Sequence, residues 1–178
     1  MYADGYARAR KLLDDKRGVV ITARDEVVLS NEPRARIAVA GGAALRTAQI
    51  GAGDVSYCID EIPALCALAA LGGVRFEVKG AKELRVKESD RIAATAGLLR
   101  AFGSRVDERK DGLLVHEDQL LRAPSRVGTA GDHRIGLTAA TLAAALGSPI
   151  EIDDADCIAT SFPDFAATWS AAFGIAVR

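Results

Sequence analysis

Four cations stand where helix physics disfavours them. Lys87, Arg91, His133 and Arg134 fall at or near predicted helix N-termini. There the positive end of the helix dipole opposes like charge by a few tenths to about 1 kcal/mol. Acidic residues would serve local stability better. Cations together with free backbone N–H groups instead make a place for an anion, a phosphate or a carboxylate. Two carboxylates, Asp60 and Glu88, accompany them and have the chemistry to accept and donate protons. The pattern predicts a small-molecule site for a polyanion, assembled from three helix starts.

The residues lie in three polar clusters: Ile59-Asp60-Glu61-Ile62-Pro63, Arg85-Val86-Lys87-Glu88-Ser89-Asp90-Arg91, and Gly131-Asp132-His133-Arg134. A fourth start, Ser161-Phe162-Pro163-Asp164, is the plain version. Capping competes with chemistry at each of them. Asp60, Asp132, Ser161 and Asp164 suit acceptors of free helix N–H groups, and Pro63 and Pro163 suit a first turn.

Helices are predicted near residues 5–16, 61–71, 88–102, 132–146 and 162–172. The β-like runs Val19–Thr22, Glu26–Leu29, Arg36–Ala40 and Leu45–Ile50 follow the first helix. Helical patterns end repeatedly in glycine followed by a β-rich run, at Gly18, Gly72, Gly103, Gly147 and Gly174. Glycine past a helix end adopts the left-handed conformation that a Cβ disfavours. The junctions recur at nearly constant spacing, Gly72 to Gly147 and Gly103 to Gly174. The segment from Asp60 to Gly103 therefore superimposes on the one from Asp132 to Gly174, each reading helix, strand, helix, strand. Such self-similarity marks a repeated supersecondary unit. The chain divides into a partial repeat over 1–50 and repeats over 51–121 and 122–178.

Composition narrows the classes. The chain has 178 residues, with 23 Lys+Arg against 24 Asp+Glu and a formal net charge of −1. It is long enough to bury a core without disulfides or metal. It has no general charge attraction to nucleic acid or to an anionic membrane. No apolar run approaches the ~20 residues of a spanning helix, and Met1-Tyr-Ala-Asp-Gly-Tyr6 lacks the features of a secretory signal. There is no P-loop and no strand-coupled Gly-x-Gly-x-x-Gly. Two histidines, His116 and His133, make a His-rich metal site improbable on count alone. Cys58, Cys66 and Cys157 show no metal spacing; Cys58 and Cys66 read as buried reduced thiols, which suits a cytoplasmic protein. Arg8, Arg10, Lys11, Lys16 and Arg17 read as a solvated helix face, His116 as an exposed strand-end residue, and Trp169 with Phe173 as core.

The motifs resemble a family. Leu84-Arg-Val-Lys-Glu-Ser-Asp-Arg91, with Asp60-Glu-Ile-Pro63, Asp132-His-Arg134 and Ala159-Thr-Ser-Phe-Pro-Asp164 in that order, is similar to the 5-enolpyruvylshikimate-3-phosphate synthases. The resemblance runs from about Asp60 to the end and is weaker before it. It implies an α/β fold of two lobes, each of three βαβαββ units in an inside-out barrel. It implies a cleft where the enolpyruvyl group of phosphoenolpyruvate passes to the 5-hydroxyl of shikimate 3-phosphate, through a tetrahedral intermediate and with no metal or organic cofactor.

By the same resemblance, Asp60 would contact the shikimate hydroxyls and act in proton transfer at the attacking hydroxyl. Lys87 would bridge both substrates and share that transfer. Glu88 would protonate the methylene carbon. Arg91 and Arg134 would clamp the phosphoenolpyruvate carboxylate and phosphate, with His133 beside them. Two positions depart from part of the family: Thr160 replaces a lysine that binds phosphoenolpyruvate in many members, and Glu83 replaces an amide. The resemblance covers the C-terminal lobe, so turnover is expected to need an N-terminal lobe in cis or trans, with the chain alone inactive. Two other readings stay open: a non-catalytic anion-binding or scaffold domain of this fold, and a lobe like that of UDP-N-acetylglucosamine enolpyruvyl transferase.

Overall fold

The computed structural model describes residues 20–30, 32–40 and 44–174. The helix predicted at 5–16 and its basic face lie outside them. The first described elements are β1 (Val20–Leu29) and β2 (Glu32–Ala40), an antiparallel hairpin with an irregularity between Arg24 and Val27. The two short runs expected over 19–29 are thus one strand. The irregularity passes through Asp25, whose positive φ of 55° re-aims the strand without ending it.

The middle of the chain holds β3 (Ala48–Ile50), α1 (Ala52–Cys58), α2 (Ile62–Leu71), β4 (Phe76–Val78), a 3₁₀ turn over Lys82–Val86, and α3 (Arg91–Ala101). A hairpin of β5 (Val106–Arg109) and β6 (Gly112–Val115) follows. Helix α1 is an addition to the sequence reading. Its seven residues, Ala-Gly-Asp-Val-Ser-Tyr-Cys, carry no side-chain N-cap and too short an apolar pattern to stand out. Strands β3, β4, β6 and β5 form one sheet in that order, parallel at β3–β4 and antiparallel elsewhere. Alternation sends Ile50, Phe76, Val78, Leu113 and Val115 into the core. The sheet's opposite face carries Glu77 among Arg75, Lys79 and Arg109. A glycine is required at 112: a Cβ there would lie 1.9 Å from the Val78 carbonyl oxygen.

The last part repeats the order with fewer strands. It comprises β7 (Arg126–Val127), α4 (His133–Leu146), β8 (Glu151–Ile152), a 3₁₀ turn over Asp156–Thr160, and α5 (Phe165–Phe173). Strands β7 and β8 pair in parallel. Helix α2, Ile-Pro-Ala-Leu-Cys-Ala-Leu-Ala-Ala-Leu, is apolar all round because the sheet, α3 and α4 enclose it. Its small residues Ala67, Ala69 and Ala70 allow that close packing. Cys58 and Cys66 are buried and in no disulfide, as expected. Among the described residues no helix is long and apolar enough to cross a membrane.

Three local expectations are corrected. The left-handed residue after α2 is Gly73, at φ 61°, while Gly72 stays right-handed and closes the helix with its N–H. His116 is half-buried rather than exposed, and its Nε2 pairs with Asp107 at 2.9 Å across the β5–β6 hairpin. Phe173 is 54% exposed rather than core. It stacks on Trp169, itself only half-buried, at the outer end of α5.

Candidate functional site

Each polar cluster reaches its position by a different local device. Asp60 lies in the turn between α1 and α2. It caps nothing, since α2 has Glu61 at its N-cap and no side-chain capping bond. The second cluster enters a helix later than expected: α3 begins at Arg91, not near residue 88. Asp90 is its N-cap, accepting from the Ala93 N–H at 3.1 Å. Lys87, Glu88 and Ser89 are left in the connecting loop, where extended backbone at Lys87 ends the 3₁₀ turn. Arg85 anchors that loop. Its guanidinium donates to the Lys110 and Arg109 carbonyls and to Asp90 and Glu108. The third cluster opens α4, where Asp132 accepts from the Arg134 N–H at 2.9 Å. Gly136, one turn into α4, admits the turn carrying Ile158; a Cβ there would meet Ile158 Cγ1 at 2.9 Å.

These devices bring the three helix starts together. Asp60 Oδ1 accepts from Arg91 Nη1 at 2.7 Å and lies 3.7 Å from Lys87 Nζ. Asp60 Oδ2 lies 3.9 Å from Arg134 Nη2. Arg134 Nη1 is also 4.0 Å from Glu61 Oε1. Glu88 accepts from Arg91 Nη2 at 2.5 Å. Asp60, Lys87 and Arg134 are all partly exposed, so the cluster opens to solvent. His133, the first residue of α4, is buried.

Beneath this surface lies a closed ion pair. Arg91 is 1% exposed and Asp132 0%. Asp132 Oδ2 accepts from Arg91 Nε at 2.7 Å and from Ser89 Oγ at 2.9 Å, and its Oδ1 accepts from Arg91 Nη2 at 3.3 Å. With the Arg134 N–H, these bonds fill the four lone-pair directions of the carboxylate. Burial by itself would raise the Asp132 carboxyl, but the bonds from Arg91, Ser89 and the Arg134 backbone hold it below the usual aspartate range. Burial likewise opposes the charged guanidinium of Arg91, yet Asp132, Glu88 and Asp60 outweigh it and raise its pKa further. Four of the five Arg91 N–H groups are committed to carboxylates.

The chemistry follows from this division. Lys87 and Arg134 stand beyond hydrogen-bond distance of Asp60 and keep donors for an anion entering between them. Asp60 has the chemistry of a proton acceptor for a hydroxyl brought to the same place. Glu83 is exposed on the 3₁₀ turn, and Thr160 is exposed at the end of the second such turn. Among the described residues no group of three or more His, Cys, Asp or Glu is placed to hold a metal ion.

Sequence reasoning selected Asp60, Lys87, Glu88, Arg91, His133 and Arg134. The structure brings Asp60, Lys87, Glu88, Arg91 and Arg134 into ionic contact around Asp60 and Arg91. It adds Asp132, Ser89 and Arg85. Asp132 was readable only as a cap, which it is; its bond to Arg91 spans 41 residues and leaves no local signal.

The repeated order of helices and strands, superposed on known structures below, is that of the enolpyruvyl transferase-like α/β fold. The family model for EPSP synthase (3-phosphoshikimate 1-carboxyvinyltransferase) matches residues 11–169, and the chain belongs to that family. The 3-phosphoshikimate 1-carboxyvinyltransferase of Geobacter sulfurreducens is 41% identical over 143 residues, 80% of this chain and 33% of the relative. That of Helicobacter hepaticus is 50% identical over 111 residues, 62% of this chain and 24% of the relative. The chain thus spans a third or less of the length of these curated relatives. The solved structure of EPSP synthase from Acinetobacter baumannii superposes with a TM-score of 0.82 at 29% identity, over 96% of this chain and 39% of that one.

Proposed function

We propose that this chain is the C-terminal lobe of a 3-phosphoshikimate 1-carboxyvinyltransferase acting in the cytoplasm, a compartment that suits its three cysteines outside any disulfide. Its substrates are shikimate 3-phosphate and phosphoenolpyruvate, and a second lobe, in cis or in trans, closes the site. The observation that carries the reading is Asp60, gathered with Lys87, Arg91 and Arg134 from three separate helix starts.

In this reading Asp60 accepts the proton of the attacking hydroxyl, Lys87 shares in that transfer, and Glu88 in its protonated form delivers a proton to the methylene carbon. Arg91 and Arg134, with His133, hold the anionic groups of phosphoenolpyruvate. Positioned charge of this kind is a large term in catalysis. Closure of the second lobe assembles the rest of the site, so the chain alone turns over negligibly. A family-like rate of phosphate release from the purified chain would overturn that part.

Titration of the ¹⁵N-labelled chain with the two substrates tests the site. Shifts localised at Asp60, Lys87–Arg91 and His133–Arg134 are expected. The commitment of Arg91 to three carboxylates favours a second reading, a non-catalytic scaffold already neutralised from within. Flat spectra with both substrates decide for the scaffold.

A further inference from the structure

Arg91 has two unlike sides. Asp60 and Glu88, 40% and 51% exposed, meet its Nη atoms from the solvent side. Asp132, fully buried, meets Nε and Nη2 from the protein side. An anion arriving from solvent can compete with Asp60 and Glu88 for the outer N–H groups. It cannot reach those held by Asp132.

We propose that Asp132 is the positioning residue for Arg91. Held by Ser89 Oγ and by the Arg134 N–H, it fixes the guanidinium plane, so that the outer N–H edge of Arg91 is presented at one place whether resident carboxylates or a substrate anion occupy it. The residue touches no substrate and acts through Arg91. Because the same carboxylate also caps α4, it ties the start of that helix to the start of α3. The geometry of Arg91 relative to Arg134 is then set by one side chain. An arginine carries substantial rotamer freedom, and a fork fixed in advance loses less of it on each bond formed to a ligand. This inference rests on the anion-binding reading of the site, but its first readout does not.

That readout is the Arg91 Nε–H resonance of the intact chain. In the wild type it is expected to be resolved and slow to exchange with water. Asp132→Asn keeps an acceptor for the α4 cap and removes the charge. It is expected to preserve the amide spectrum while the Arg91 Nε–H shifts and exchanges rapidly. Phosphoenolpyruvate affinity, measured with shikimate 3-phosphate present, should fall roughly tenfold or more, the size of a lost charge-assisted bond. Ser89→Ala removes one bond to Asp132 without touching the ion pair. It should move the same resonance in the same direction by less, and it serves as the deciding variant if Asp132→Asn does not fold. An unchanged Arg91 Nε–H in Asp132→Asn, or in Ser89→Ala where that variant decides, overturns the positioning role and leaves Asp132 a helix cap. A wild-type chain that binds neither substrate overturns the substrate reading instead, and the Nε–H comparison still decides for or against positioning.

Discussion

Residues 62–101 and 133–173 follow the same order of helix, short strand, 3₁₀ turn and helix, yet only the first passage ends in a helix that the protein encloses. Helix α3 starts with the buried Arg91, capped by Asp90 and backed by α2, α4 and β6. Helix α5 has Asp164 at its N-cap with no side-chain capping bond, and Phe165 is its one buried residue. The sheet beside α3 has four strands, whereas the second passage has only the two-residue pair β7–β8. A shared order of elements supplies helix starts, but a buried charge needs neighbours that exclude water and satisfy its bonds. The chemistry therefore collects at the enclosed start.

The largest expected difference concerns the two helix starts. Arg91→Ala leaves Asp132 buried without its partner and should cost about 3–5 kcal/mol in urea unfolding. Asp164→Ala should stay within about 0.5 kcal/mol. Comparable losses would break the contrast between the two passages.

Aromatic truncation sharpens it. Phe76→Ala, in the sheet face packed on the helices, should cost about 3 kcal/mol or more. Phe173→Ala should shift the thermal midpoint barely at all, because the ring is more than half exposed. A Phe173 variant as damaging as the Phe76 variant would mean that α5 is covered in solution.

The smallest effect is a slope. Hydrogen bonds outweigh burial to hold Asp132 below its ordinary value of 3.8. The Thr129 N–H, followed by its hydroxyl, does the same for Asp153 against burial. A depressed carboxyl contributes stability that is complete above the ordinary value and lost as pH falls through the lower folded-state value. Stability should therefore decline below about pH 4. Asp132→Asn and Asp153→Asn should each flatten that acid limb by at most one proton, read from urea midpoints along a pH series. An unchanged limb in both variants would show that these two carboxylates do not carry it.

Much of this was legible in the chain itself. The helices at 62–71, 91–101, 133–146 and 165–173 were visible because apolar periodicity and glycine stops are local signals. The errors were local ambiguities. Acidic residues before Arg91 looked like a first helical turn, whereas Asp90 is the cap and Glu88 lies in the loop. Trp169 and Phe173 have core spacing, but spacing identifies a face and not what covers it. The odd cations at helix starts pointed to a site because they oppose local stability, a conflict that only a use elsewhere in the molecule resolves.

By itself, the sequence determined which residues have the chemistry: Asp60 and Glu88 as carboxylates, and Lys87, Arg91, His133 and Arg134 as the cationic set. Tertiary structure alone decided which of them face solvent and which are committed inward. Lys87 and Arg134 remain partly exposed around Asp60, while Arg91 is drawn under the surface by Asp132. The physical reason is that a charge-assisted bond depends on distance and desolvation. Neither is written in residue spacing when the partners lie 41 residues apart.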